Sequence, residues 1–141
     1  MNWATCLEEH LIRKDHLAKA RVPASIDAAE RFVHSAERTH GIEEYELAHL
    51  AAYTSAFHSA RALLFSRGYT ERSHICVVLM LRHVYADDLP LQHLLSTLDK
   101  MRISRHNVQY GVQQVSREEA AFTIQFAGKF LLLAKERIEK V

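Results

Sequence analysis

Arginine, histidine and tyrosine side chains concentrate in the segment Lys100–Tyr110, which reads Lys-Met-Arg-Ile-Ser-Arg-His-Asn-Val-Gln-Tyr. On a helix, Arg102, His106 and Gln109 share one face, since residues three and four apart are neighbours. Planar guanidinium groups suit phosphate recognition. An imidazole can exchange protons with a phosphate oxygen or a ribose hydroxyl near neutral pH. The segment therefore predicts either an anion site or a helix C-terminus that attracts cations through its dipole.

Arg105 stands on a different face of the same predicted helix. Counting in helical steps from Leu94 through Leu98 to Met101 places Arg105 on the apolar stripe, with Val108 after it. An arginine there must pair with a carboxylate, cap carbonyl groups or face a groove that admits an anion. Arg105 is therefore the first candidate for binding phosphate.

Alanine and serine recur at helical spacing along Ala48–Leu64, where small side chains let another helix approach closely. Tyr53, His58 and Arg61 lie on the same predicted helix, and polar groups of that size need partners. They serve either a hydrogen-bonded core or a cleft. The run continues through a glycine stop to a helix restart at His74.

Ten histidines raise the question of a metal site. The candidate pairs lack the HxxxH or CxxC spacing of recognised sites. No GxSxG motif or glycine-rich phosphate loop occurs either. We therefore expect no metal, no cofactor and no nucleophilic enzyme of those classes. The pairs considered are His106 with His93, His74 with Cys76, and His10 with His16.

The composition favours one helical domain over residues 1–141. Apolar residues make up 48% of the chain, and only 4 Gly and 2 Pro leave little material for hairpins. A net charge of +1 excludes broad electrostatic binding to DNA but leaves local basic patches open. Cys6 and Cys76 are expected to be reduced packing residues. With no apolar leader segment, we expect a cytoplasmic location.

Apolar periodicity and capping signals predict an all-α, up-and-down bundle of five to six helices. The fourth segment is rich in β-branched residues, so a buried strand stays open there, although its length favours a helix. Its run Ile75–Leu81 is apolar nearly all round, which predicts a helix at a bundle centre or a twofold dimer interface. The predicted helices are Trp3 to about Ala20, Ser25–Arg38, Glu43–Arg67, His74–Tyr85, Pro90–Tyr110, and Ser116 to about Lys140.

Several separated motifs stand in a recognisable order between about Ala20 and Lys135. They are Ala51-Ala-Tyr53, Phe57-His58, Arg61-Ala-Leu-Leu64, Gly68-Tyr69, Ser73-His74, Arg105…Tyr110-Gly111 and Ser116…Glu119. Together they resemble the HEPN superfamily, and more narrowly its small stand-alone branch of uncharacterised prokaryotic proteins.

The resemblance implies a four- to six-helix bundle that forms homodimers and is encoded beside a minimal nucleotidyltransferase in a toxin-antitoxin-like module. Some members of the superfamily cleave RNA with an Arg, four to six residues, then a His. Here Arg102 and His106 have three residues between them, and Arg105 directly precedes His106. The spacing from Arg67 to His74 fits formally but lies across the turn after the third helix. The motif present is the Arg105-x-x-x-x-Tyr110-Gly111 form, typical of the branch without the histidine.

Three hypotheses follow from the sequence. The first is a dimeric module that binds nucleotide or RNA and engages a nucleotidyltransferase. The second is a metal-independent ribonuclease toxin that uses Arg102 or Arg105 with His106. The third is a structural scaffold without a ligand. For the first, the resemblance implies a dimer cleft lined by Arg102, Arg105, His106 and Tyr110, helped by His58, Arg61 or His74.

Overall fold

Six α-helices and a two-stranded sheet make up residues 1–140, the part of the chain that this computed structural model describes. The all-α helical bundle expected from the sequence is confirmed. The helices are α1 (Trp3–Glu8), α2 (Val22–Gly41), α3 (Tyr45–Ser66), α4 (His74–Val84), α5 (Leu89–Tyr110) and α6 (Arg117–Glu139). The strands are β1 (Ile12–Lys14) and β2 (Tyr69–Glu71), and a 3₁₀ helix spans Ala18–Arg21.

Helix α3 runs through the centre of the bundle and contacts α2, α4, α5 and α6. Its alanines and serines bring neighbouring backbones so close that serine hydroxyls reach carbonyl groups across the interface. Ser55 Oγ donates to the carbonyl of Ala29 on α2 at 2.6 Å, and Ser25 Oγ of α2 donates to the carbonyl of His58 at 2.8 Å. These bonds fix α2 against the helix that carries Tyr53.

Side-chain caps set the starts of the last three helices close to the predicted positions. Ser73 accepts from the amide of Cys76, Asp88 from that of Leu91, and Ser116 from that of Glu119. Helix α2 begins three residues before the predicted Ser25, because Pro23 fits the first turn of a helix.

The predicted first helix, from Trp3 to about Ala20, is wrong. The helix ends at Glu8, and after His10 (φ 58°) the chain extends into β1. Ile12 pairs with Glu71 and Lys14 with Tyr69 in the antiparallel sheet. Main-chain pairing with the segment after α3 therefore outweighs the helical pattern of this stretch.

The prediction that Cys6 and Cys76 are reduced is also wrong. They form a disulfide with their Cα atoms 5.8 Å apart, because α1 folds back onto α4. Stacking of Trp3 on His83, with ring centroids 3.7 Å apart, adds to the same contact. The disulfide therefore joins the segment before α2 to α4.

The apolar run Ile75–Leu81 forms part of α4. Cys76, Val77, Val78 and Met80 are buried within this one chain, so the run gives no reason of its own for a second copy. The dimer stays a prediction. Among residues 1–140, no helix is long and apolar enough to cross a membrane.

Candidate anion-binding groove

A groove of about 500 Å³ lies where the start of α4 faces the second half of α5. The structure brings together four of the seven predicted site residues there, and Ile103 completes the lining. We refer to this surface as the Arg105 groove. Its predicted members are His74, Arg102, Arg105 and His106.

The guanidinium of Arg105 packs over an aromatic ring while its charge stays available. Its guanidinium carbon lies 5.3 Å from the ring centroid of Tyr53, within the range of a cation–π contact. Nη1 donates to the side-chain oxygen of Gln109 at 3.1 Å, one helical turn further along. Nε is buried and, among the atoms of residues 1–140, has no hydrogen-bond partner. No carboxylate in this described part of the chain forms an ion pair with Arg105.

An aromatic row on α3 supports the groove from below. Tyr53 and Phe57 are one turn apart, and their rings stack with centroids 6.3 Å apart. The imidazole of His74 stacks on Phe57 at 3.9 Å. Burial raises the pKa of Tyr53, although the positive charge of Arg105 acts in the opposite direction. The ring beneath Arg105 is therefore a neutral phenol at physiological pH.

His74 is neutral at physiological pH. Burial lowers the pKa of its imidazole, and the charge of Arg105 lowers it further, while Glu71 partly opposes the shift. A neutral imidazole can accept a proton or a hydrogen bond. A phosphate in the groove would raise the pKa of His74, because a nearby negative charge favours the protonated form.

Arg102 and His106 occupy the rim of the groove. Nε of Arg102 donates to Oδ1 of Asp99 at 3.2 Å, so its charge is partly balanced within α5. The exposed ring of His106 lies 5.0 Å from the ring of Tyr110. Tyr110 is 67% exposed and stands beyond the residues that line the groove.

The groove lining does not include the other two predicted residues, Arg61 and His58. Arg61 donates from Nε to Glu71 at 2.9 Å, and its guanidinium lies over Phe65, so it connects α3 to β2. His58 stacks on Phe32 of α2 with ring centroids 5.6 Å apart. Burial, then the charge of Arg61, lowers the pKa of His58. Both side chains therefore serve the packing around α3.

The structure contains a buried histidine network that was not predicted from the sequence. His49 Nδ1 lies 2.9 Å from the hydroxyl of Thr123 on α6, and Nε2 lies 3.2 Å from that of Ser104 on α5. Thr123 donates its own proton to the carbonyl of Glu119 at 3.0 Å, so it accepts from His49. We infer that Nε2 is unprotonated. His49 lies four residues before Tyr53, and this spacing was the one signal that could have revealed it.

Residues that could hold a metal ion do not converge in the described region. Within residues 1–140, no group of three or more His, Cys, Asp or Glu side chains lies close enough together to bind one. The donors that do converge on the Arg105 groove are two guanidinium groups and two imidazoles, which suit an anion better than a cation.

Comparison with known protein families identifies a domain in this chain. Residues 22–138 match the family model of the HEPN domain. The match covers α2 to α6 with both sides of the Arg105 groove, and α1 and β1 lie before it. No curated protein matches the chain.

Proposed function

The chain belongs to the HEPN domain family, and we propose that it is a nucleotide- or RNA-binding module whose Arg105 groove holds phosphate. The observation that carries this proposal is the guanidinium of Arg105, stacked on Tyr53 beside an open groove. A guanidinium group that is held in place and has no carboxylate partner can bind phosphate oxygens through two parallel hydrogen bonds. A scaffold would instead have placed Arg105 against a carboxylate in a closed core.

The chemistry around Arg105 supports a nucleotide better than a bare phosphate. Arg102 adds a second guanidinium, and His74 can share a proton with a phosphate or ribose oxygen. Ile103 is 53% exposed at the groove, and Tyr110 presents an exposed ring close to the rim. Bases stack on aromatic rings such as that of Tyr110 with little regard to sequence.

We further propose that two copies of the chain pair so that their Arg105 grooves face each other, and that a nucleotidyltransferase is the partner in a toxin-antitoxin-like module. The tendency of HEPN domains to form dimers supports this pairing, which would also cover the exposed side chain of Ile103 in the groove. Light scattering at micromolar concentration should give a dimer, and a strict monomer would refute the pairing. Purification with a nucleotidyltransferase encoded beside the gene tests the partner.

A second candidate function, RNA cleavage, is favoured by the presence of both His74 and His106 in one arginine-lined groove. Neutral His74 would take the proton of a ribose 2′-hydroxyl, whose oxygen bonds to phosphorus while the bond from phosphorus to the 5′-oxygen breaks. The imidazole of His106 would donate a proton to the leaving 5′-oxygen. The products are a 2′,3′-cyclic phosphate and a 5′-hydroxyl.

Thermal unfolding with ligand tests the binding proposal. AMP, ATP or single-stranded RNA should raise the melting temperature, because a ligand that binds only the folded state stabilises it. Arg105→Ala should remove the gain. The matched control is Arg38→Ala, which removes an exposed arginine from α2. If none of these ligands shifts the melting temperature of the wild-type protein, the proposal is wrong.

RNA cleavage is separated from binding by the histidines. If the protein cleaves RNA, both His74→Ala and His106→Ala should abolish cleavage and weaken RNA binding by much less than Arg105→Ala does. If the wild-type protein binds RNA without cutting it, the ribonuclease proposal is wrong and the binding proposal stands.

A further inference from the structure

A second arginine stacks on a tyrosine near the start of β2, at the end of the strand away from the Arg105 groove. The guanidinium carbon of Arg67 lies 4.5 Å from the ring centroid of Tyr85, and its Nε donates to the Tyr85 hydroxyl at 3.2 Å. Tyr85 is buried in the core, whereas Arg67 is exposed. Arg67 is therefore held in the same way as Arg105, by a buried phenol ring.

The segment before α2 places two lysines in the same pocket as Arg67. Lys14, His16 and Lys19 line a pocket of about 520 Å³ with Arg67, and Asp15 and Gly68 complete the lining. We refer to it as the basic pocket. Within residues 1–140, neither the two lysines nor Arg67 forms an ion pair.

Asp15 is the only acidic residue among those that line the basic pocket, and it is engaged in holding the loop. Its carboxylate accepts from the amide of Leu17 at 2.9 Å, and its own amide donates to the carbonyl of Gly68 at 2.9 Å. Gly68 has a φ of +86°, which side-chain-bearing residues rarely adopt, and this turns the chain from α3 into β2. The pocket is thus a defined loop junction with an excess of positive charge.

The local charge differs from that of the whole chain. Residues 12–21 and 67–72 contain six lysines and arginines but two acidic residues, while the whole chain has a net charge of +1. The remainder of the chain is therefore slightly acidic. Such a concentrated cationic surface raises the local concentration of polyanions.

We propose that the basic pocket is a second phosphate subsite, which takes a backbone phosphodiester of the same single-stranded RNA whose phosphate lies in the Arg105 groove. The inference rests on the proposed function and adds the segment before α2, which the family match does not include. Strand β2 connects the two sites, since it begins just after Gly68 and ends three residues before His74.

Chain geometry limits how far apart the two sites can lie. The seven residue steps from Arg67 to His74 span at most about 25 Å even when fully extended. Seven stacked nucleotides, at about 3.4 Å each, cover that distance. A strand of about ten nucleotides can therefore reach both sites, whereas a dinucleotide occupies the Arg105 groove alone.

The experiment measures the affinity of a 12-nucleotide single-stranded RNA and of a dinucleotide over a range of salt concentrations. In the double variant Lys14→Ala/Lys19→Ala, the 12-mer should bind at least about tenfold more weakly. The slope of log K against log salt should fall by about 1.4, since each lost phosphate contact on a single strand contributes about 0.7. Dinucleotide affinity should stay unchanged. Arg67→Gln should weaken the 12-mer in the same direction.

The matched control is Lys129→Ala/Lys140→Ala, which removes two exposed lysines at α6 and leaves the net charge equal to that of the test variant. Unchanged 12-mer affinity and slope in Lys14→Ala/Lys19→Ala would refute the second subsite, while a dinucleotide that still binds would leave the proposed function intact. Failure of wild-type protein to bind either RNA would instead defeat the inference together with the RNA half of the proposed function, and AMP and ATP would then decide the nucleotide half.

Inorganic phosphate separates a strand subsite from a site for the free ion. If phosphate raises the melting temperature, and Lys14→Ala/Lys19→Ala removes that gain without weakening the 12-mer, the pocket binds free phosphate and the strand proposal is wrong. Weakened 12-mer binding in the double variant, with dinucleotide binding retained, supports the proposal that the basic pocket binds an RNA strand.

Discussion

Tyr53 lies beneath Arg105, with 5.3 Å between its ring centroid and the guanidinium carbon, and the two residues come from different helices. Tyr53 is 2% exposed and belongs to α3, the most buried helix of the bundle. The position of the arginine on α5 is therefore set by a rigid part of the core. A fixed guanidinium loses little conformational entropy when a phosphate binds.

Replacing Tyr53 tests whether this stack prepares Arg105 for its ligand. Tyr53→Phe keeps an aromatic face and should leave nucleotide affinity nearly unchanged, whereas Tyr53→Leu should weaken it by about two- to thirtyfold, the range of a cation–π contact of about 0.5–2 kcal/mol. Fluorescence anisotropy with a labelled nucleotide measures the difference. Leu and Phe variants with equal affinity would show that the stack does not matter, provided that both remain folded by circular dichroism.

His49 should make the protein less stable in mild acid. Burial lowers the pKa of His49, with Glu119 opposing the shift, so the unfolded chain takes up a proton at a pH where the folded protein does not. The free energy of unfolding should therefore fall as the pH drops below about 6.5, by up to about 1.4 kcal/mol per pH unit for each such proton. His58 and His74, whose pKa values are also lowered, act in the same direction.

Urea unfolding between pH 5 and pH 8 measures this slope. His49→Gln should reduce the slope by about one proton, whatever it does to stability at pH 8. His34→Gln, at an exposed position on α2, is the control. An unaltered slope in His49→Gln would mean that His49 titrates equally in the folded and unfolded states.

Much of the fold could be predicted from local signals, but the contacts between elements could not. Ser116 and the apolar stripe around Arg105 are encoded within a few residues, so the helix start and the unusual arginine were both visible in the sequence. The stack of Arg105 on Tyr53 joins residues 52 positions apart and leaves no local pattern. The Arg61–Glu71 ion pair also leaves no local pattern in the sequence. Because this partner could not be predicted, the sequence indicated a ligand-binding role for Arg61.

The segment before α2 could not be predicted for a similar reason. Ile12 and Lys14 adopt strand geometry because they pair with β2. Cys6 lies next to Cys76 because α1 folds back onto α4. Local periodicity carries no information on either event. The apolar spacing of the segment therefore predicted an amphipathic first helix.

The ion pair between Asp88 and Arg137 should stabilise the bundle more than a surface pair does. Both side chains are mostly buried, and Nε of Arg137 near the end of α6 donates to the carboxylate that caps α5. Asp88→Asn keeps a side chain able to cap the helix but removes the charge. The free energy of unfolding should fall by about 1–3 kcal/mol.

The stabilisation by the Asp88–Arg137 ion pair should be lost in acid, because the pKa of Asp88 is lowered in the folded protein. The hydrogen bond from Arg137 lowers the pKa of Asp88 below its ordinary value of 3.8, so the stabilisation is complete above that pH and is lost as the pH falls towards the folded pKa. Below pH 3.8, wild type and Asp88→Asn should therefore converge in stability. Asp87→Asn, at the exposed neighbouring position, should show neither effect.

The Cys6–Cys76 disulfide should contribute substantially to stability. It closes a loop of 70 residues, for which the loss of unfolded-state entropy corresponds to as much as about 4 kcal/mol. Urea unfolding of Cys6→Ser/Cys76→Ser should show a decrease of up to that size. A phosphine reductant should lower wild-type stability to the same level, although both sulfurs are buried and the reaction will be slow.

The reductant also provides the control, because it should leave the stability of Cys6→Ser/Cys76→Ser unchanged. Alkylation of unfolded protein, extracted without reductant, then reports the state of the thiols in the cell. Disulfides are rare in a reducing cytosol, so full oxidation would argue against the cytoplasmic location expected from the sequence. Labelling of both cysteines would show instead that the disulfide is absent in the cell, and α1 would then be held to α4 by Trp3 and His83 and the packing around them.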